Sequence, residues 1–194
     1  MHSVTSDNPG ELKGISAKTN DIHHGKLYAG YVAKRNEVEE QLKQVDLSTA
    51  NQVYSAWRGL KEGETFAANG MILHQVYFSI LGGDGNVDGT KLQESIISTW
   101  GSWERFVAEF TATGMAARGW AILAWDTFDK KLHIYAADAQ NHGGVWGSIP
   151  LVPCDVYEHA YFLDFGSDRK AYIAAFLQNI QWGKVEEMYL NFAN

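Results

Sequence analysis

Apolar residues recur at intervals of three and four positions through the first part of the chain, with charged residues between them. This spacing predicts amphipathic helices over residues 16–44, 47–60 and 65–81. The third helix places five residues on one face: Phe66, Gly70, Leu73, His74 and Tyr77. The run from Gly82 to Asn86, which contains three glycines, interrupts every regular pattern and predicts a boundary there.

The pattern changes in the second part of the chain. Two more helical segments, 90–100 and 103–112, precede two short apolar runs, 120–126 and 132–137, whose polar connection predicts a β-hairpin. Residues 149–154 predict a third strand, and residues 170–179 predict a terminal helix. The first part of the chain is helical, and the second part places helices around a small antiparallel sheet. This order indicates an α+β fold. We therefore expect an N-terminal helical lobe, residues 1–82, and a C-terminal lobe, residues 83–194.

Composition narrows the class of protein. With 194 residues, of which 45% are apolar, the chain can bury a sizeable core. A net charge of −7 and the lack of a Lys/Arg stripe argue against a nucleic-acid partner. No run of apolar residues is long enough to cross a membrane, and Met1–Gly10 lacks the apolar centre of a signal peptide. Cys154 is the single cysteine, which excludes an intrachain disulfide. We expect a soluble, cytoplasmic protein.

Histidines carry the candidate chemistry. The chain has seven, and most histidines in proteins are surface or ordinary core residues, which is how we interpret His2 and His133. His74 differs because it lies on the apolar face of its helix, beside Leu73 and Tyr77. A buried imidazole needs a partner for each ring nitrogen, and a metal ion supplies one of them.

Asp155 and His159 form the second candidate pair, four positions apart directly after a predicted strand. If a helical turn begins at Asp155, both side chains lie on one face and supply half of a metal site. An alternative is that Asp155 caps a helix and His159 is unrelated to it, and these two residues alone favour that alternative.

Residues 155–161 read Asp-Val-Tyr-Glu-His-Ala-Tyr, which resembles the signature Asp-Val-Trp-Glu-His-Ala-Tyr of iron/manganese superoxide dismutases. The resemblance extends along nearly the whole chain beyond Leu12. It includes His23-His24-Gly25-Lys26, Ala67-Ala68-Asn69-Gly70 before His74, Gly119-Trp120, and Asn179-Ile180-Gln181-Trp182. The resemblance implies a metal bound by His23, His74, Asp155 and His159, with a solvent molecule as fifth ligand.

The resemblance also implies a fold, an activity and an assembly. The fold is an N-terminal helical hairpin followed by an α/β lobe with a three-stranded antiparallel sheet, and the metal lies between the lobes. The activity is the disproportionation of superoxide into dioxygen and hydrogen peroxide. The assembly is a homodimer, with a tetramer as the alternative.

Two residues acquire catalytic roles from the resemblance. Gln140 would hydrogen-bond the solvent ligand of the metal, and Tyr31 would relay protons at the open face. The family supplies this glutamine either at the position of Gly70 or at that of Gln140. The pairing of Gly70 with Gln140 is more typical of manganese members, so we expect manganese ahead of iron.

Further residues acquire supporting roles in the same way. Lys26 and Arg169 would flank the funnel through which superoxide reaches the metal. Their positive charges would attract this anion despite the negative net charge of the chain. Trp120 would form part of the apolar wall around the metal. Glu158 would cross the dimer interface to hold a ligand histidine of the partner, and Tyr161 would face the same interface.

Several positions depart from the family pattern. Leu27 stands where the family usually has a histidine that pairs with the tyrosine at Tyr161 across the dimer. Tyr28 replaces a common histidine, Tyr157 replaces a tryptophan, and Ile72-Leu73 replaces Trp-Asn. None of these changes removes a ligand.

Two other functions remain open. One is a non-catalytic relative that keeps the fold for binding or assembly, against which the intact ligand set argues. The other is a hydrolytic or zinc-binding metalloprotein, for which the chain lacks a His-Glu-x-x-His pattern.

Overall fold

The N-terminal half of the molecule is helical in the computed structural model, which describes residues 1–193. Its elements are α1 (Ala17–Ile22), a π-helical segment (His23–Tyr28), α2 (Ala29–Leu42), a 3₁₀ turn (Leu47–Thr49) and α3 (Ala56–Ser79). Helices α2 and α3 pack against each other as the predicted hairpin.

The two predicted helices over 47–60 and 65–81 are wrong as separate elements. Residues 56–79 form one continuous helix, which begins where Ser55 accepts a hydrogen bond from the backbone N–H of Arg58. The polar stretch that suggested a break lies on a mostly exposed face of α3, where Lys61 and Glu64 form an ion pair. Before Ser55, the side chain of Asn51 accepts from two backbone N–H groups, which holds a turn in place of a helix.

The C-terminal half contains the predicted three-stranded antiparallel sheet. After α4 (Lys91–Trp100) and α5 (Trp103–Ala116) come β1 (Trp120–Asp126), β2 (Lys131–Ala137) and β3 (Ser148–Asp155), in the spatial order β2-β1-β3. Every residue of the central strand β1 is buried, because the sheet is covered on both faces. Trp120 pairs with Ala137 on one side and with Asp155 on the other.

The chain ends in three helices, of which the sequence predicted one. These are α6 (Phe162–Phe165), α7 (Arg169–Gln178) and α8 (Trp182–Phe192), preceded by a 3₁₀ turn (Glu158–Ala160). Helix α7 is the predicted terminal helix. Helix α8 was missed, although Trp182, Val185 and Tyr189 recur at helical spacing and are buried.

The glycine-containing run after α3 is packed against the far end of the chain. The backbone N–H of Gly83 donates to the carbonyl of Asn179, and that of Gln181 donates to Ile80. A Cβ at position 83 would lie 2.4 Å from the carbonyl oxygen of Ile180, so only glycine fits this contact. The two parts of the chain therefore meet here in a tight backbone contact. The division into residues 1–82 and 83–194 stays a prediction.

No helix within residues 1–193 is both long enough and apolar enough to cross a membrane.

Candidate metal centre

Four side chains from four different elements meet in the interior. His23 opens the π-helical segment, His74 lies in α3, Asp155 ends β3, and His159 lies in the 3₁₀ turn that follows. Their ligand atoms all lie within 4.8 Å of one another. The first three residues are fully buried, and the His159 side chain is 28% exposed, so the cluster approaches solvent on the side of His159.

The three imidazoles point their Nε2 atoms at one carboxylate oxygen. Oδ2 of Asp155 lies 3.1 Å from Nε2 of His23, 3.1 Å from that of His159, and 3.4 Å from that of His74. No helical turn begins at Asp155, because this residue is the last of β3. The approach of His159 instead results from the tight turn that follows the strand.

His74 provides the clearest evidence that this cluster fits a cation. Its Nδ1 lies 2.6 Å from the backbone carbonyl of Gly70, which can only accept, so Nδ1 carries the proton. In the neutral ring Nε2 then presents a lone pair, and this buried atom has no hydrogen-bond partner. A lone pair aimed at the Asp155 carboxylate is repulsive unless a cation lies between them. Three imidazoles and one carboxylate are donors that suit iron, manganese or zinc.

A π-helical segment positions the first histidine. The sequence predicted one regular helix over residues 16–44, but residues 23–28 are wound more widely. Such segments are frequently found at functional sites. Here the segment directs His23 at the cluster, while the ring of His24 packs 4.8 Å from that of Phe78. Its periodicity is too close to that of an α-helix to be recognised in the sequence.

The cluster also sets its own protonation states. Burial lowers the pKa of His23 to about 4, with Asp155 opposing the shift, so this imidazole is neutral near pH 7. Burial alone would raise the pKa of Asp155. The charge of His159 and hydrogen bonds from His159 and His23 outweigh that effect and hold the pKa of Asp155 well below its usual range. Asp155 therefore contributes a negative charge to the centre.

Gln140 joins two residues that the sequence had also singled out. Its Oε1 accepts from the indole Nε1–H of Trp120 at 2.8 Å, and its Nε2–H donates to the hydroxyl of Tyr31 at 3.0 Å. Trp120 stands edge-on to His74, with 5.0 Å between the ring centroids. The three residues thus form a continuous chain beside the cluster, and Gln140 is buried within it.

Aromatic rings pack around the histidines, and of these rings only Trp120 was predicted to lie beside the metal. The ring of Phe78 lies 5.0 Å from that of His23, and the ring of Tyr77 lies at the same distance. Burial raises the pKa of Tyr77 above its usual range, so its hydroxyl is neutral, and it lies 3.3 Å from that of Tyr172. The helical spacing of Phe78 from His74, four positions, could have pointed to its place among these rings.

Of the other residues predicted to act at the site, two are exposed and two are partly or fully buried. Lys26 and Glu158 are exposed, and the side chain of neither makes a hydrogen bond or an ion pair within residues 1–193. Arg169 is partly buried. Its guanidinium donates to the carbonyl of Ala117 at 2.8 Å, and its Nε–H donates to the hydroxyl of buried Tyr161 at 3.2 Å.

A second group of possible ligands, Asp126, Asp129 and His133, lies at the β1–β2 hairpin. Its carboxylates already accept hydrogen bonds that build the turn, from the backbone N–H groups of Phe128 and Lys131. This arrangement agrees with the interpretation of His133 as an ordinary surface residue.

The fold and the cluster together define a mononuclear metal centre of the three-histidine, one-carboxylate class, built between an α-hairpin and an α/β lobe. Two family models match the chain. "Iron/manganese superoxide dismutases, alpha-hairpin domain" covers residues 13–82, and "Iron/manganese superoxide dismutases, C-terminal domain" covers residues 88–188. The chain belongs to the iron/manganese superoxide dismutase family.

Curated relatives agree with this assignment. The chain is 42% identical to superoxide dismutase [Fe] of Aquifex pyrophilus, over 93% of this chain and 87% of that protein. It is 40% identical to superoxide dismutase [Fe] of Cupriavidus metallidurans, over 90% of this chain and 88% of the relative. It is 33% identical to superoxide dismutase [Mn] 1 of Halobacterium salinarum, over 90% and 86%.

Proposed function

We propose that this chain catalyses the disproportionation of superoxide into dioxygen and hydrogen peroxide, using one iron or manganese ion held by His23, His74, Asp155 and His159. The observation that carries the proposal is the convergence of three Nε2 atoms on Oδ2 of Asp155 in a buried cluster. Membership of the iron/manganese superoxide dismutase family supports it. The complete ligand set argues against the non-catalytic alternative, because packing alone does not require it.

The bound ion would supply one-electron oxidation and reduction of superoxide. The protein sets the charge of the ligands around the ion and limits the access of water to it. Ionised Asp155 contributes one negative charge to the ligand set, and neutral His23 contributes none. The apolar rings of Trp120, Tyr77 and Phe78 pack against the histidines and exclude bulk water from the inner side.

Delivery of the protons that the reaction consumes involves Tyr31 and Gln140 in this proposal. The Tyr31 hydroxyl accepts a hydrogen bond from Gln140, which leaves its own proton free to be donated. Burial raises the pKa of Tyr31, with Gln140 opposing the shift, so the hydroxyl keeps this proton near neutral pH. The Tyr31 hydroxyl, hydrogen-bonded by Gln140, can therefore hold a proton beside the ligand histidines and donate it to superoxide as that substrate is reduced.

We propose manganese as the preferred metal. Glycine at position 70 leaves Gln140 as the glutamine of the site, an arrangement that resembles the manganese members of the family. Iron is the second candidate, since relatives that are 40–42% identical to the chain carry the name superoxide dismutase [Fe]. Metal analysis of the purified protein, and activity after the metal-free protein is reloaded with each ion, would decide between them. Equal activity without either metal would contradict the proposed function.

The assembly proposed from the sequence is a homodimer built around the turn that carries His159. The side chain of Glu158 is exposed on this turn and has no hydrogen-bond or ion-pair partner within residues 1–193, and Phe162 and Leu163 are 54% and 56% exposed. An acidic group and two apolar side chains beside a ligand suit a contact with a second subunit. Glu158→Ala should weaken dimerisation in sedimentation experiments. The cytoplasmic location stays a prediction, which cell fractionation would test.

A further inference from the structure

A pocket that the proposed reaction does not use lies between α3 and the sheet, with a volume of about 210 Å³. Its floor is apolar and buried, and it is formed by Leu73, Ile122, Ala124 and Ala137. Ile72 and Val145 also line the pocket and are 39% and 41% exposed, so they form its rim. Dry apolar cavities of about 150 Å³ hold an aromatic ring, so this pocket is large enough for one.

The loop between β2 and β3, residues 138–147, forms one side of the pocket and is held in place. Both the backbone N–H and the hydroxyl of Ser148 donate to the carbonyl of Val145, at 3.1 and 2.7 Å. A Cβ at position 143 would lie 2.4 Å from the carbonyl oxygen of Ala136, so only glycine lets the loop lie this close to β2. Trp146 of this loop is 95% exposed and does not line the pocket. The loop therefore shapes the pocket without filling it.

The side chains that line the pocket carry no formal charge, because none of them belongs to a lysine, arginine, aspartate or glutamate. An ion in the pocket would lose its hydration without meeting an opposite charge, which is costly. The net charge of −7 also acts against anions. The pocket therefore favours a neutral ligand and disfavours superoxide.

An unpaired side-chain amide lines the pocket. The amide belongs to Asn69, which is half-buried in α3, and it makes no hydrogen bond within residues 1–193. The Ser148 hydroxyl donates its proton to Val145 and keeps lone pairs that can accept. Gln140 also lines the pocket, and its Oε1 and Nε2 each have one hydrogen-bonding position left after the contacts described above. The pocket thus offers both donors and acceptors to a ligand.

We propose that this pocket binds a neutral phenol, with the ring between α3 and the sheet and the hydroxyl hydrogen-bonded to Asn69. A hydroxyl both donates and accepts, as the amide does, and a rigid ring loses no internal rotation on binding, unlike an alkyl chain. The site is separate from the metal ligands, so it does not depend on the proposed dismutase activity. Because Gln140 lines the pocket and also contacts Tyr31, a bound phenol would lie next to the residues proposed to deliver protons.

Equilibrium dialysis of the metal-loaded protein against phenol, benzene and benzoate tests the proposal. Two variants should fill the pocket from opposite sides, Ile72→Trp from the helix and Val145→Trp from the loop. Both positions are partly exposed, so the fold should tolerate the larger side chain. Ile97→Trp is the matched control, because Ile97 is 40% exposed in α4 and does not line the pocket. Asn69→Ala removes the amide and keeps a residue that favours the helix.

Wild type and Ile97→Trp should bind one phenol per chain, and neither Ile72→Trp nor Val145→Trp should show saturable binding. Benzoate, which carries a charge, should bind about tenfold more weakly than phenol or not at all. Asn69→Ala should weaken phenol binding by about fivefold, the effect of one lost hydrogen bond, and leave benzene binding unchanged.

Absence of saturable phenol binding in the wild type would overturn the proposal, and so would undiminished binding in a folded variant with a filled pocket. If Ile72→Trp fails to fold, Val145→Trp provides the same test from the loop. Equal affinities for phenol and benzoate would contradict the neutral ligand. An unchanged affinity for phenol in Asn69→Ala, or an equal loss of phenol and benzene binding, would contradict the hydrogen bond to the amide.

Discussion

A Cβ atom at position 70 would lie 2.4 Å from Cδ1 of Tyr31, so the absence of a side chain at Gly70 allows the tyrosine ring to occupy its place. The carbonyl of the same glycine accepts the Nδ1 proton of His74. Gly70 therefore positions both a metal ligand and the tyrosine that contacts Gln140. A longer side chain there, such as glutamine, would require Tyr31 to move.

Gly70→Ala should destabilise the protein by about 1–3 kcal/mol, the usual cost of overpacking, and lower the rate of superoxide consumption. Gly59→Ala is a matched control in the same helix. A Cβ at Gly59 meets nothing within 4 Å, so this change should stabilise α3 by about 0.5–1 kcal/mol. Combining Gly70→Ala with Tyr31→Ala should remove the penalty. Chemical denaturation of the wild type, Gly70→Ala, Tyr31→Ala, the double variant and the Gly59→Ala control measures it. Additive effects of the two changes would contradict the contact.

Replacing His74 by Ala should abolish metal binding and activity, because Nε2 of His74 is one of four donor atoms gathered within 4.8 Å. The fold should survive with lower stability, since a buried ring is removed. His133→Ala is the control, as this histidine is partly exposed and contacts Asp129 at the hairpin. Metal content and activity of both variants decide the matter. Full activity in the His74 variant would refute the assignment of the centre.

Gln140→Leu should retain the metal but shift its reduction potential and lower turnover. The change leaves the indole N–H of Trp120 and the hydroxyl of Tyr31 without their partner, each at a cost of roughly 1–3 kcal/mol. Asn141→Ala is a neighbouring control, since the Asn141 amide donates to Glu62 and Thr65 and not to Gln140. Redox titration and steady-state rates provide the measurements. An unchanged potential and rate would show that Gln140 has no part in the reaction.

Leu27→His tests the departure from the family pattern at the proposed dimer face. Leucine cannot hydrogen-bond Tyr161, and in this chain the Tyr161 hydroxyl takes Arg169 as its partner. With no histidine to pass protons, we expect the wild-type rate to fall at lower pH than the rate of Leu27→His. Leu27→Gln, which is polar but does not titrate, should behave like the wild type. The pH–rate profiles test this expectation, and identical profiles for all three proteins would contradict it.

Local patterns in the sequence were sufficient to predict most of the elements. The length of the apolar runs predicted the sheet, because a strand that is covered on both faces is apolar over most of its length, as β1 is from Trp120 to Trp125. The residue types and their order also suggested the four ligands, through the likeness of residues 155–161 to a family signature. Helix α8 was missed, although the spacing of its buried residues is typical of an amphipathic helix.

Other features were not encoded locally. The break predicted between residues 60 and 65 was wrong because exposed polar residues interrupt a hydrophobic pattern without interrupting a helix. The place of Arg169 beside the funnel stays a prediction, and the contact of its guanidinium with the carbonyl of Ala117 joins residues that are distant in sequence. The exposure of Trp146 likewise depends on how its loop is anchored to β1 and β2, and no pattern within the loop predicts that.

The sequence by itself determined which residues can bind a metal, since imidazole and carboxylate chemistry belongs to the residue types. The tertiary structure alone decided that Asp155 meets His23, 132 positions away, and that the lone pair of His74 points at the same oxygen. It also decided that Asp155 reaches the cluster from the end of a strand and His23 from a π-helical turn. The physical reason is that side-chain direction follows from the backbone of each element and from the packing of these elements around one core. Both depend on contacts between residues far apart in the chain.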